Sequence, residues 1–91
     1  MLSSMSKRVA VGAAIKAIRE ARAQQAPSDD LDPEQFRLGR FALQCQMTPG
    51  HLCNIEAGRK FPPEDVVHRI AALLRVSVDA IYYVMPMEAA A

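Results

Sequence analysis

Cys45, Cys53, His51 and the carboxylates of Asp29, Asp30 and Asp32 are the side chains of this 91-residue chain whose types could support metal binding, nucleophilic attack or acid–base work. Their spacing supports none of these. The two cysteines sit inside a helical pattern, without the paired spacing of a zinc site or a disulfide framework. His51 and Cys53 together offer two ligands with no matching pair, so no metal and no cofactor is expected. No nucleophile–base set appears, and no paired carboxylates fall on adjacent turns. Asp29, Asp30 and Asp32 stand among Pro and Ser and read as a solvated loop. The chain is therefore expected not to be an enzyme.

The cations follow a different pattern. Formal charge is +1, from eleven Lys and Arg against ten Asp and Glu, a balance that taken whole argues against nucleic-acid binding through bulk charge. Residues 1 to 25 set Lys7, Arg8, Lys16, Arg19 and Arg22 against Glu20 alone. Residues 26 to 36 hold Asp29, Asp30, Asp32 and Glu34 with no cation, and residues 37 to 60 set Arg37, Arg40, Arg59 and Lys60 against Glu56. Two basic blocks surround an acidic one, so near-neutrality is a cancellation. The expected outcome is positive charge on one side of the molecule and negative charge pointing elsewhere.

Length and composition bound the scaffold. A chain of 91 residues with 51% hydrophobic residues makes one small domain, 1–91, with little surplus for a second module or a deep enclosed site. Lys7 and Arg8 precede an Ala-rich amphipathic stretch and no apolar leader. The longest apolar runs fall short of a membrane span. A reducing, cytoplasmic setting without membrane contact is expected.

Five helices must position these residues. Val11, Ala14, Ile15, Ile18 and Ala21 recur at spacings of three and four, which predicts a helix over 6–25 that ends before Pro27. The stretch ahead of it, about 1–6, reads as a flexible arm. Asp32-Pro33-Glu34-Gln35 reads as a capping box, with Gln35 reaching back, that opens a second helix running to about Cys45. Thr48-Pro49 is another N-cap followed by Pro, and Gly58 is placed to stop that third helix at about Ala57. Pro62-Pro63 with Glu64 and Asp65 opens the fourth helix, and Ser77 is placed to cap a fifth ended by Pro86. The tail, about 86–91, is expected to fray. No internal repeat and no period-two strand pattern competes.

Two short helices joined by a tight turn describe a helix-turn-helix unit. Here the sequence resembles the lambda-repressor-like family, also called the Cro/repressor or Xre type. Its twenty-residue motif maps onto 38–57, where Phe41, Cys45, Met47, Leu52 and Ile55 take the apolar positions and Ala42 the small one that lets two helices approach. Asn54-Ile55-Glu56-Ala57-Gly58-Arg59-Lys60-Phe61-Pro62 and Val76-Ser77-Val78-Asp79 resemble the segments that follow. Three departures stand out. Gln46 replaces the usual turn Gly, Leu38 replaces a phosphate-contacting Gln, and the first connection, about 24–35, is some twelve residues longer and contains the whole acidic block.

The resemblance implies an all-α, compact five-helix lambda-repressor-like domain whose third helix enters the major groove of double-stranded DNA. The family's base-reading positions fall on Pro49, Gly50, His51 and Asn54, and Asn54 can pair bidentately with adenine N6 and N7. Arg59 and Lys60, with Arg37, Arg40 and Thr48, are the implied phosphate contacts. Arg19 and Glu56 are the implied buried ion pair, orienting helix 1 against helix 3. One such helix reads few base pairs, so a homodimer on a palindromic operator is expected, with half-sites about 34 Å apart. Tyr82, Tyr83 and Met85 are candidates for the dimer contact or, equally, for closing the core. The implied function is a dimeric repressor of phage or plasmid type that occludes a promoter. The alternatives are an antitoxin that also autoregulates its operon, and a protein-interaction module on the same fold that binds a protein partner through the acidic insertion.

Overall fold

A computed structural model describes residues 2–82, with side chains from Ala10 onward. It contains α1 (Leu2–Gln25), a 3-10 turn (Pro33–Phe36), α2 (Leu38–Gln44), α3 (Pro49–Glu56), α4 (Glu64–Leu74) and α5 (Val78–Tyr82). The expected stop at Pro86, the tail, Tyr83 and Met85 lie outside the described residues.

α1 is the spine against which the 3-10 turn, α3, α4 and α5 all pack. Val11 and Ile15 on its inner face are fully buried, and Ile18 packs against the same core. The helix begins at Leu2, so the stretch expected to be an arm is helical. Extending a formed helix fixes one residue per added hydrogen bond, which is far less costly than nucleating one. Gly12 makes possible the closest approach in the fold. A Cβ placed there would collide with the Ile55 carbonyl and sit 2.7 Å from the Glu56 carbonyl, so α1 passes directly over the last turn of α3.

The second expected helix is two pieces. Phe36 and Phe41 are both 1% exposed, yet five residues apart on one continuous helix they would point about 140° away from each other. The chain resolves the conflict by breaking at Arg37, which is extended (φ −71°, ψ 147°). Both rings then enter one core with centroids 6.4 Å apart. The capping box forms in part. Asp32 Oδ1 accepts from the Glu34 N–H at 3.0 Å, while Gln35 contributes its backbone carbonyl to Gln44 Nε2 at 3.0 Å.

Three helix ends and the turn that follows α1 share one pattern. Asp30, Gln46, Gly58 and Arg75 each take positive φ, between 61° and 84°. Around each, the next N–H reaches back to a carbonyl five residues earlier, as in Met47 to Ala42 at 3.0 Å and Arg59 to Asn54 at 2.9 Å. This is the Schellman closure, in which a left-handed residue lets the chain satisfy the last helical carbonyls. Glycine occupies the left-handed position in one of the four. At Gln46 the turn between α2 and α3 keeps the family's geometry without the family's residue and accepts the strain of a side chain there.

Three arginines add side-chain caps. Arg22 Nε and Nη2 donate to the Leu74 and Arg75 carbonyls at 2.8 and 3.0 Å. Arg69 Nη1 donates to the Cys45 carbonyl at 3.1 Å, closing α2. Arg19 Nη1 donates to the Phe36 carbonyl at 3.0 Å, closing the 3-10 turn. Cations near carbonyl ends also oppose the helix dipole favourably.

Candidate nucleic-acid interface

The α2–α3 unit is built from a short inner face and an open outer one. Phe41, Ala42, Cys45, Leu52 and Ile55 are buried in the common core, while Met47 packs at their edge. Burial pushes the Cys45 thiol up to about 11, with Arg69 opposing the rise and Glu56 adding to it. Cys45 is a core side chain, whereas Cys53 is exposed on the other side of α3.

The outer face of α3 carries Pro49, Gly50, His51, Cys53 and Ala57, all exposed, and Asn54, half-exposed. Thr48 Oγ1 accepts from the His51 N–H at 3.1 Å and fixes the start of α3. Its hydroxyl hydrogen remains available to an acceptor outside. A Cβ at Gly50 would meet open space, in contrast to Gly12. Nothing inside the fold demands glycine at this exposed position.

Arg19 and Glu56 come together as a fork. Nε donates to Oε2 at 2.8 Å and Nη2 to Oε1 at 2.9 Å, with side chains 9% and 6% exposed. The Glu56 hydrogen bond raises the Arg19 pKa against the opposing effect of burial. The third donation, to Phe36, means that one guanidinium ties α1, the 3-10 turn and the end of α3 into a fixed arrangement.

The remaining cations are arranged differently from the sequence expectation. Arg37 Nε lies 3.1 Å from Glu34 and Arg40 Nη1 lies 3.9 Å from Asp32, all four side chains being more than half exposed. The acidic segment therefore does not simply point elsewhere, because two of its carboxylates sit against the basic start of the helix-turn-helix. Opposite charges in a flexible, solvated setting find each other when the backbone brings them within reach, and the break at Arg37 does so. Arg59 Nη1 donates to Asn54 Oδ1 at 2.9 Å, and Lys60 is exposed beside it. These pairings, and the caps made by Arg22 and Arg69, were missed by sequence reasoning. The three-residue spacing of Glu34 and Arg37 was a local signal for one of them.

Tyr82 is half-buried and lines an open hollow of about 550 Å³ with Ser77, Asp79 and Ala80. Burial, then the nearby Glu64 charge, raises its pKa. Among the described residues, no group of three or more His, Cys, Asp or Glu could hold a metal ion, and no helix is long and apolar enough to cross a membrane.

Among the described residues the domain is all-α, and a tight turn joins α2 to the outward-facing α3, the arrangement of a helix-turn-helix unit. The family model described as a helix-turn-helix domain matches residues 10–81, and the chain belongs to that family. Its fold is lambda-repressor-like, and the helix-turn-helix domain makes it a DNA-binding regulator in class. No curated protein and no solved structure matches the chain.

Proposed function

We propose that the chain is a sequence-specific repressor that binds a palindromic operator as a homodimer and occludes a promoter. α3 enters the major groove, His51 and Asn54 read base edges, and Pro49 and Gly50 allow close approach of the backbone. Arg59, Lys60 and Thr48 contact phosphates, and Arg37 and Arg40 exchange their carboxylate partners for phosphate on the DNA. Tyr82 contributes to the dimer contact from the open hollow beside α5.

The outer face of α3 carries this reading. It is exposed at Pro49, Gly50, His51 and Cys53 and half-exposed at Asn54, polar at His51 and Asn54, and contains at Gly50 a glycine without an internal role. Phosphate contacts make affinity fall steeply with salt, while base contacts give sequence preference.

Selection from a random duplex library tests the proposal directly. The expected result is an enriched two-fold symmetric site whose binding weakens as salt rises. Gly50→Glu should abolish that binding without loss of folding, because its side chain enters open space. The absence of any enriched site, or unchanged binding by Gly50→Glu, would refute it.

A further inference from the structure

The Asn54 amide oxygen is engaged by a neighbouring side chain. Asn54 and Arg59 stand at two ends of the Schellman closure of α3. Gly58 at φ 84° turns the chain back, the Arg59 N–H reaches the Asn54 carbonyl at 2.9 Å, and the Arg59 side chain is thereby laid over the Asn54 side chain. The 2.9 Å contact between Nη1 and the amide can have one polarity only. A guanidinium has five N–H donors and no acceptor, so the amide must face it with its oxygen. The Asn54 oxygen is then directed at Arg59, and the amide's two N–H donors are turned the other way.

From this geometry we infer that Arg59 is a positioning residue that sets the base preference of Asn54, making it a reader of guanine. The inference rests on the proposed entry of α3 into the major groove. An adenine edge there presents one acceptor, N7, and one donor, N6, and a bidentate asparagine must offer both oxygen and N–H to meet it. A guanine edge presents two acceptors, N7 and O6. With one lone pair of its oxygen engaged and its orientation fixed by Arg59, the amide presents chiefly its N–H groups, and the remaining guanidinium N–H groups beside it are donors as well. The composite surface is donor-rich and complements the acceptor-only edge of guanine better than the mixed edge of adenine. Arg59 thus does more than neutralise phosphate.

Arg59→Ala releases the amide oxygen, after which the side chain can rotate and pair with adenine. The backbone closure does not depend on the Arg59 side chain, so α3 still ends at the same residue.

The test compares sites selected by the native chain, Asn54→Ala and Arg59→Ala from one random duplex library. The position read by Asn54 is the one whose preference disappears in Asn54→Ala. At that position the native chain should select guanine, and Arg59→Ala should select adenine, each by about tenfold or more over the other. Loss of a phosphate contact alone would weaken all sites evenly and leave the preferred base unchanged. Adenine selected by the native chain, or guanine retained by Arg59→Ala, overturns the inference while the DNA-binding reading stands. Failure of the native chain to enrich any site removes both. The amide protons of Asn54 give a second readout without DNA, since their NMR resonances should move in Arg59→Ala and an unchanged pair of resonances would contradict the contact.

Discussion

Replacing Arg19 by Met should be among the most destabilising single changes to this protein. The side chain is 9% exposed and its partner Glu56 is 6% exposed, so removing the guanidinium leaves a carboxylate with neither water nor a counter-charge. It also strips the donor from the Phe36 carbonyl. Breaking a buried pair from one side costs about 3–5 kcal/mol, a large share of the roughly 5–15 kcal/mol that holds a domain of this kind together. Changing both members to Met removes both charges and fills the space, leaving the Phe36 carbonyl as the main uncompensated group at about 1–3 kcal/mol. The double variant should therefore be more stable than Arg19→Met alone. Urea unfolding followed by circular dichroism at 222 nm measures all of these on one scale. A loss below about 1 kcal/mol for Arg19→Met, the range of an exposed pair, would refute the reasoning. So would a double variant whose loss equals the sum of the two single losses, because contacting residues must couple.

Other substitutions test separate parts of the fold. Gly12→Ala would raise helix propensity by about 1 kcal/mol, but its Cβ meets the α3 backbone carbonyls, so net destabilisation of about 1–3 kcal/mol is expected in the same unfolding assay. A gain in stability would show that α1 does not press on α3 there. Gln46→Gly should stabilise by about 0.5–1 kcal/mol, since relief at φ 65° outweighs the added freedom of the unfolded chain. A lower midpoint would contradict the left-handed turn. Maleimide at neutral pH should label exposed Cys53 and spare buried Cys45, with both labelled after unfolding, and bound operator should protect Cys53. Cys45 also gives a pH signature. Its folded value of about 11 lies above the ordinary 9.0, so its contribution is fully present below pH 9 and is lost as pH rises towards 11. The loss is about 2–3 kcal/mol, measured as the difference in pH slope between the native chain and Cys45→Ala; identical slopes would place the thiol in water.

Particular residues show what could be read from the chain and what could not. Thr48-Pro49 and Gly58 bound α3 because caps and left-handed stops are local chemistry, decided within a few residues. The inner face of α1 was legible as well, as periodicity reports burial directly. The break at Arg37 was not legible, because it arises when two aromatic rings compete for one core, and the place of that core depends on α1. The caps made by Arg22 and Arg69 have no local signal, because only the tertiary fold sets the open carbonyl ends of α4 and α2 beside them. At the candidate interface, the sequence named Asn54 and Arg59 separately. Their contact depends on the helix reversing at Gly58, and the polarity of the amide depends on the contact.

The charge pattern gains a physical meaning once these contacts are in place. Arg19, Arg22 and Arg69 are tied to carbonyls or to Glu56, so three of the eleven cations serve the fold. Arg37 and Arg40 hold exposed pairs with Glu34 and Asp32, and exposed pairs contribute about 0–1 kcal/mol each. In the proposed complex, such pairs are weak enough to be exchanged for phosphate. The exchange nevertheless leaves two carboxylates close to the DNA backbone, which opposes binding to every sequence alike. In the proposed complex an acidic segment in this place would lower affinity for random DNA, and the proposed contacts of His51, Asn54 and Arg59 would then have to supply a larger part of the binding energy. On the proposed function, the near-neutral total would favour discrimination between sequences over tight general attachment.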